Sequence, residues 1–238
     1  MAIYGKNANI FIKAYDLSGD SNRITLNIAI DTIDITGFGA KAKENKEGKY
    51  SWTLSEDGFW NSAVYHSDPV IHSLIGAGSQ VVGIFPAGTT PGNLGYEGYG
   101  ILTTYNPEAV IAGAVTFAAE FQGSNLLNRT ILLNAGIKTA NGTSTARNLG
   151  TAGLNIGITS ILRALSGSHG TCNVKIQAST AEAGTYGDIF SFTQLTNELI
   201  AEQKNIATAP VGPWFRSVHT IGGASDSFDL TISCATEE

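Results

Sequence analysis

The sequence predicts a mainly β protein: a sheet with one flanking α-helix, followed by a smaller C-terminal β-sandwich. Three observations predict it. The 238 residues hold 28 glycines but only 6 prolines and one methionine, and Thr, Ser, Asn and Ile are plentiful, a composition of short strands joined by turns. Several segments alternate apolar and polar residues with a period of two. Only one segment carries both the start and the stop signal of a helix.

The alternation begins over Tyr4 to Tyr15, where Ile10, Ile12 and Ala14 oppose Phe11, Lys13 and Tyr15, and breaks at the turn-forming stretch Asp16 to Asp20. From Ile24 it is strict: Ile24, Leu26, Ile28 and Ile30 on one face, Thr25, Asn27, Ala29 and Asp31 on the other. The apolar parity then switches at Ile33 and Ile35, which predicts a bulge near Asp31-Thr32. A second strand follows with Tyr50, Trp52 and Leu54 inward and Ser51, Thr53 and Ser55 outward, ending in an expected turn at Glu56-Asp57-Gly58. Together these segments read as a long hairpin, with Ile24 to Ile30 and Tyr50 to Leu54 anchoring it on a core. Its tip is charged at Lys41, Lys43, Glu44, Lys46, Glu47 and Lys49, in a chain that elsewhere avoids charge. Such a segment is a solvated loop until a partner covers it.

The helix is expected from Ser67-Asp68-Pro69, a capping residue followed by proline in the first turn, through Val70, Ile71, Leu74 and Ile75 to Gly76. Strands are expected at Gln80 to Phe85, Gly98 to Tyr105 and Ala114 to Phe121, where Val115, Phe117, Ala119 and Phe121 share a face. From 137 to 153 large side chains nearly vanish, which reads as a linker between a domain at 1–136 and a second at 154–238. The second holds strands near Ile156 to Leu165, Cys172 to Ala178, Ile189 to Phe192, Trp214 to Ile221 and Phe228 to Cys234, with a weak helical period at Leu195 to Lys204.

Only 14% of residues are charged, against about a quarter in ordinary soluble domains, so much of the surface is neutral and suited to meeting other protein. The net charge of −6 and the absence of a basic stripe argue against gripping nucleic acid, which needs clustered Lys and Arg. No stretch approaches the roughly 18 apolar residues of a membrane span, and the first residues lack signal-peptide features. The expectation is a protein made and kept in the cytosol, or leaving it inside a particle, with no membrane partner. Cys172 and Cys234 alternate with apolar neighbours and read as buried thiols in preference to a disulfide.

No catalytic set emerges. His66, His72, His169 and His219 lack carboxylate or cysteine neighbours at metal-ligand spacing, and His72 reads as a solvent-facing helix residue. Gly95, Gly98 and Gly100 precede a strand, so they read as turn glycines and not as a phosphate cradle. Asp16, Asp20, Asp31 and Asp34 miss the spacing of a calcium loop. The sequons at Asn128 and Asn141 read as chance matches. Tyr186 and Trp214 could form an aromatic platform for a sugar, although strand aromatics usually belong to a core. The expectation is neither enzyme nor cofactor protein.

Several stretches taken in order resemble the major tail tube protein family of long-tailed bacteriophages. They are Ala14 to Asn22, Ile33 to Gly39 with its Thr36-Gly37-Phe38-Gly39, Trp52 to Ser55, and Gly58-Phe59-Trp60, then Ala114 to Gln122 with Gly123 and Arg129. Further along, Val174 to Ser179, Tyr186 to Thr193 and Phe215-Arg216 continue the likeness. The resemblance implies a tail-tube β-sandwich or barrel subunit, six copies of which close into a ring, with rings stacking into the tube of a virion tail. It implies that the loop 40–49 reaches the adjacent ring and that the C-terminal domain decorates the outside. It further implies tape measure, tail terminator and baseplate proteins as partners, and DNA passing through the lumen without specific binding. Thr25, Asn27, Ser51, Thr53 and Ser55 are the candidate lumen-facing residues. Alternatives are a capsid decoration or cement protein, and a host-glycan-binding module in residues 154–238.

Overall fold

The computed structural model describes residues 5–39, 41–150, 156–166, 170–196, 199–206, 212–223 and 227–236; Ala40, His169 and the linker residues 151–153 lie outside them. In chain order the first strands are β1 (Asn9–Ile12), β2 (Tyr15–Asp16), β3 (Ser21–Asp34) and β4 (Asn45–Phe59), followed by the short helix α1 (Ser67–His72). Then come β5 (Gln80–Phe85), β6 (Leu94–Glu108), β7 (Thr116–Gly123), β8 (Asn128–Lys138), β9 (Gly142–Thr143) and β10 (Arg147–Asn148). The remainder is β11 (Ile156–Ser166), β12 (Thr171–Ser179), β13 (Gly187–Ser191), β14 (Ile200–Ile206), β15 (Trp214–Gly222) and β16 (Ser227–Thr236). The protein is therefore mainly β, and the strand Gln80–Phe85 stands as read from the sequence.

The strands group into two units, one from 20–79 with 99–127, the other from 1–19, 80–98 and 128–238. This grouping cuts across the chain-order division at 136 and 154. In the first unit β3 pairs β4, β4 pairs β7, and β7 pairs the later part of β6, all antiparallel. The register sets Leu54 opposite Phe121, Glu56 opposite Ala119 and Gly58 opposite Phe117, so these residues share one face. That face is buried, together with Trp52, Val70 and Ile71 of α1 and Leu74 just beyond it, while His72 is exposed.

Glu56-Asp57-Gly58 is not a turn, contrary to the sequence reading: β4 runs through it, held by β3 on one edge and β7 on the other. The glycine serves close approach instead. A Cβ at Gly58 would lie 2.3 Å from the Asp20 carbonyl oxygen and 2.7 Å from the Phe117 ring. Phe59 N–H donates to that same Asp20 carbonyl at 2.7 Å. The Asp20 side chain fixes the start of α1. Its Oδ2 accepts from Ser67 N–H at 2.9 Å, satisfying one free amide of the first turn, while the N-cap residue His66 gives no side-chain cap. Ser67 is thus the first helical residue and not the cap, and its hydroxyl donates to the Phe59 carbonyl at 3.1 Å.

In the second unit the strand order is β14, β11, β16, β8, the start of β6, β5, β1, β2, and a second sheet runs β13, β12, β15 with β9 and β10 on the far edge of β15. Leu133 of β8 and Phe228, Leu230, Ile232 and Cys234 of β16 pack against Cys172, Val174, Ile176 and Ala178 of β12 and Phe215 of β15, which makes a sandwich. Both cysteines are free and buried in it.

Three expectations change here. The stretch 137–150, read as a linker, contains the end of β8 paired to β16 and the short strands β9 and β10 paired to β15. Small residues there reflect strands at a sheet edge. The segment 195–204 shows no helix among its described residues; Ile200–Ile206 pairs β11 as a strand. Gly95 is a packing glycine inside β6, since its Cβ would meet the Phe85 ring at 2.4 Å.

Replacing Gly58 with alanine is expected to destabilise the protein by about 1–3 kcal/mol, because the obstacle is backbone oxygen that cannot rotate away. Chemical denaturation checks this, and an unchanged midpoint would contradict the packing role.

Candidate functional site

The longest feature of the first unit is the β3–β4 hairpin. Its two strands stay in register from Arg23–Asp57 to Asp34–Asn45, with a shift between Ile30 and Thr32 where the bulge is predicted. At that shift a Cβ on Gly48 would approach the Asp31 carbonyl oxygen to 2.9 Å. The hairpin is only half supported. β7 pairs β4 from Thr53 to Phe59, whereas residues 45–52 of β4, and the outer edge of β3, pair with no further strand among the described residues.

Burial follows that support. Trp52 and Leu54 are buried, but Ile28 and Ile30 are 46% and 50% exposed and Tyr50 faces solvent with them. The inward reading of Tyr50 and the anchoring of Ile28 and Ile30 on a core therefore fail, since no element among the described residues covers them. Ile33 and Ile35 are also exposed, and Phe38 at the tip is entirely so.

The tip is organised before any partner arrives. Thr36 N–H donates to Asp34 Oδ1 at 2.9 Å and Glu44 N–H to Thr36 Oγ1 at 2.9 Å, while Ile35 N–H closes on the Glu44 carbonyl at 2.9 Å. Lys43 Nζ folds back to Asp34 Oδ2 at 3.3 Å. The bonds from Thr36, then that from Lys43, hold the Asp34 carboxyl below its ordinary range. Lys41, Glu44, Lys46, Glu47 and Lys49 are all exposed, and Lys41, Lys46 and Lys49 make no ion pair among the described residues. Phe38 between Gly37 and Gly39 is the tip residue that a reading for charge passes over. Its signal is a large apolar side chain flanked by two residues that cannot shield it.

The five candidate lumen-facing residues come together. Thr25 lies opposite Ser55 and Asn27 opposite Thr53, with Ser51 opposite Ala29, all on the face away from Trp52 and Leu54. The register carries this face on to Glu120 and Gln122 of β7 and Thr104 of β6. It is polar and holds little positive charge; Arg23 at its edge sits 3.8 Å from Asp57.

At the end of the unit opposite the tip is a groove of about 430 Å³ lined by Asn22, Asp57, Asn106, Glu108, Thr116 and Phe117. Beside it the β6–β7 turn exposes Val110, Ile111 and Val115. Close by, Glu56 is fully buried, with Ser21 Oγ donating to its Oε1 and no partner for its Oε2 among the described residues. Burial pushes its carboxyl up to about 7, against the lowering by Ser21. The sequence contained this: period two from Trp52 and Leu54 places Glu56 on the same face. In the other unit Glu97 is likewise raised to about 7 by burial, with Thr130 Oγ1 donating to its Oε2 at 2.6 Å and Ser233 to the same oxygen.

Tyr186 and Trp214 lie in the other unit. Arg216 sits 3.9 Å over the Tyr186 ring, covering one face that a sugar would use, and Tyr186 OH donates to the Glu182 carbonyl at 2.8 Å. Trp214 begins β15 opposite Ser179, on the same face as Arg216. The Arg216 Nε donates to Gln177 at 2.8 Å, and Gln177 Nε2 and Lys175 Nζ donate to Asp188. These partners form a closed polar network. Among the described residues no three His, Cys, Asp or Glu side chains are grouped as a metal site would require.

No family model and no curated protein matches the chain. Among solved structures, a chain of the virion of a native gene transfer agent particle is similar at 13% identity and TM-score 0.46, over 54% of this chain and 98% of that one. A chain of the tail of an empty gene transfer agent particle, refined with C6 helical symmetry, is similar at 15% identity and TM-score 0.44, over the same shares. The Dit (gp 19.1) protein of phage SPP1, described as a hub of the adsorption apparatus, aligns over 95% of this chain and 98% of its own at 10% identity and TM-score 0.34. At these scores the likenesses assign neither a family nor a role.

The two raised carboxyls make stability fall with pH. Each is neutral when folded and ordinary when unfolded, so its contribution is intact below about pH 4.5 and is lost as pH rises to about 7. The loss is about 3 kcal/mol for a carboxyl shifted that far. Melting temperature is expected to drop between pH 5 and 8, and Glu56→Gln is expected to flatten part of the drop. An Glu56→Gln profile parallel to the wild type would contradict this.

Proposed function

We propose that the protein is a structural subunit of a phage-type virion tail tube. Copies associate side by side into rings, and rings stack into a tube through which DNA passes. The observation that carries this reading is the half-supported hairpin, which presents Ile28, Ile30, Ile33, Ile35, Phe38 and Tyr50 to solvent along an open strand edge. An exposed edge with apolar side chains is an aggregation hazard in a lone protein, and closure into a ring of identical copies removes it. Burying the exposed half of one such isoleucine is worth about 1 kcal/mol, and the gain is repeated at every interface.

The polar face fits the role of a lumen wall. Thr25, Asn27, Ser51, Thr53 and Ser55 offer DNA no clustered cations, so the phosphate backbone finds nothing that would release its counterions and hold it. The resemblance of Ile33 to Gly39 and Gly58 to Trp60 to tail tube proteins supports the same reading. It brings with it six-membered rings, a tape measure protein inside the tube, and terminator and baseplate proteins at its ends. The same resemblance carries residues 154–238 as a decoration of such a tube.

Sedimentation of purified protein is expected to show large assemblies. The double variant Ile28→Asp, Ile30→Asp is expected to remain a single folded copy, with an unchanged circular dichroism spectrum. Reversing Lys41, Lys43, Lys46 and Lys49 to glutamate is expected to leave rings that no longer stack. Wild-type protein that stays a single copy under all conditions would refute the proposal.

A further inference from the structure

The turn that leads into α1 holds two exposed apolar residues on a fixed frame. Val64 is 71% and Tyr65 63% exposed, and the hydrogen bond from His66 N–H to the Ala63 carbonyl at 3.1 Å brackets the pair. Asn61 sets the frame. Its Oδ1 accepts from Ala63 N–H at 3.0 Å, its N–H donates to Ser67 Oγ at 3.0 Å, and its carbonyl accepts from Asp68 N–H at 3.1 Å. Tyr65 has a φ of 72°, in the left-handed region that a bulky side chain rarely occupies. Strain of that kind persists only where the surroundings impose it, and it gathers at ligand clamps and other functional positions. Here Asn61 and the start of α1 impose it, and the outcome is an aromatic side chain presented at the surface.

The uncovered face of the hairpin lacks what this turn offers. Ile28 lies opposite Trp52 and Ile30 opposite Tyr50, so they prolong the apolar face that is buried together with Val70 and Ile71 at the root. The turn stands at the root end, since Ser67 Oγ donates to the Phe59 carbonyl at 3.1 Å. From Phe59 to Tyr50 β4 runs roughly 30 Å, so the turn of a chain is far from its own Ile30.

We propose that the Val64-Tyr65 turn of one copy seats on the Ile28, Ile30 and Tyr50 face of a second copy beside it, with the Tyr65 ring across Ile30. This rests on the tube reading and deepens it, naming the surface that covers the hairpin within a layer. Continuity supports the seating: the strip extends a face that the chain already buries against residues of α1, and the start of a second copy's α1 carries that packing onward. None of the five side chains is charged, so closing the contact strips no ion among them of water. The turn is already ordered, which spares the cost of fixing a loop on binding, and an aromatic side chain is a common interface anchor. The contact is also heterologous, since the patch that donates differs from the patch that receives. Such a contact repeats from copy to copy and closes a ring, whereas two identical patches would stop at a pair.

Tyr65→Gly tests the anchor without straining the fold, because glycine takes a positive φ freely. This variant is expected to melt at or above the wild-type temperature and yet to lose the fast-sedimenting assemblies. A side chain that served the fold alone would give the reverse, a lower melting temperature with assembly kept. A second measurement reads the pairing itself. Val64→Cys and Ile30→Cys are combined in one chain, which is assembled and then oxidised with copper phenanthroline; both positions are exposed, while Cys172 and Cys234 are buried. The double variant is expected to give a ladder of covalently joined copies on a non-reducing gel, and either single variant to give none. Tyr65→Gly protein that assembles as the wild type does, or double-variant assemblies that give no ladder, would overturn the seating and leave the tube reading standing. A wild type that never assembles would overturn both.

Discussion

The structure of the first unit turns on a mismatch of length. β4 has fifteen residues and β3 fourteen, but β7 has only eight and reaches β4 no farther than Thr53. Strand pairing and burial end together at that point. Trp52 is the last fully covered residue of β4, its indole N–H donating to the Asn125 carbonyl at 2.7 Å; beyond it the same alternation that builds a core faces water. A period-two pattern specifies a buried face, and here the face continues farther than the described strands cover it. The missing cover is what the assembly reading supplies.

An overhanging hairpin needs a rigid root, and the residues at its base serve that end. Gly58 lets the Asp20 backbone and the Phe117 ring close on β4. Gly123 does the same for Trp52, whose indole would lie 2.4 Å from a Cβ there. The Asp20 carboxylate ties the start of α1 to the strand, with Asn61 Nδ2 donating to it at 3.2 Å and His66 Nδ1 3.0 Å away. Glu56 is the exception to a good root, a carboxyl in an apolar face, neutral through much of the acidic range because burial disfavours its charge.

Legibility in the sequence followed locality. The alternation of β3, the bulge at residues 30–32, the extent of β5, the apolar face of α1 and the charged tip are all set by neighbours a few positions apart, and all were readable. Glu56-Asp57-Gly58 has the composition of a turn, yet becomes strand because partners on both edges outvote local preference. The same reason hid β9, β10 and β14, whose pairing with β15 and β11 joins residues far apart in sequence. The two units could not be read because each is woven from separate stretches. At the hairpin, parity alone puts Thr25, Asn27, Ser51, Thr53 and Ser55 on one face, as the register does. How far the core extends beneath Ile28, Ile30 and Tyr50 depends on the length of β7, which parity does not reveal.

If the uncovered half of the hairpin joins copies of this chain, purified wild-type protein under the electron microscope forms rings and hollow tubes with a continuous lumen. Dispersed single particles across the full range of concentration and salt would rule that interface out.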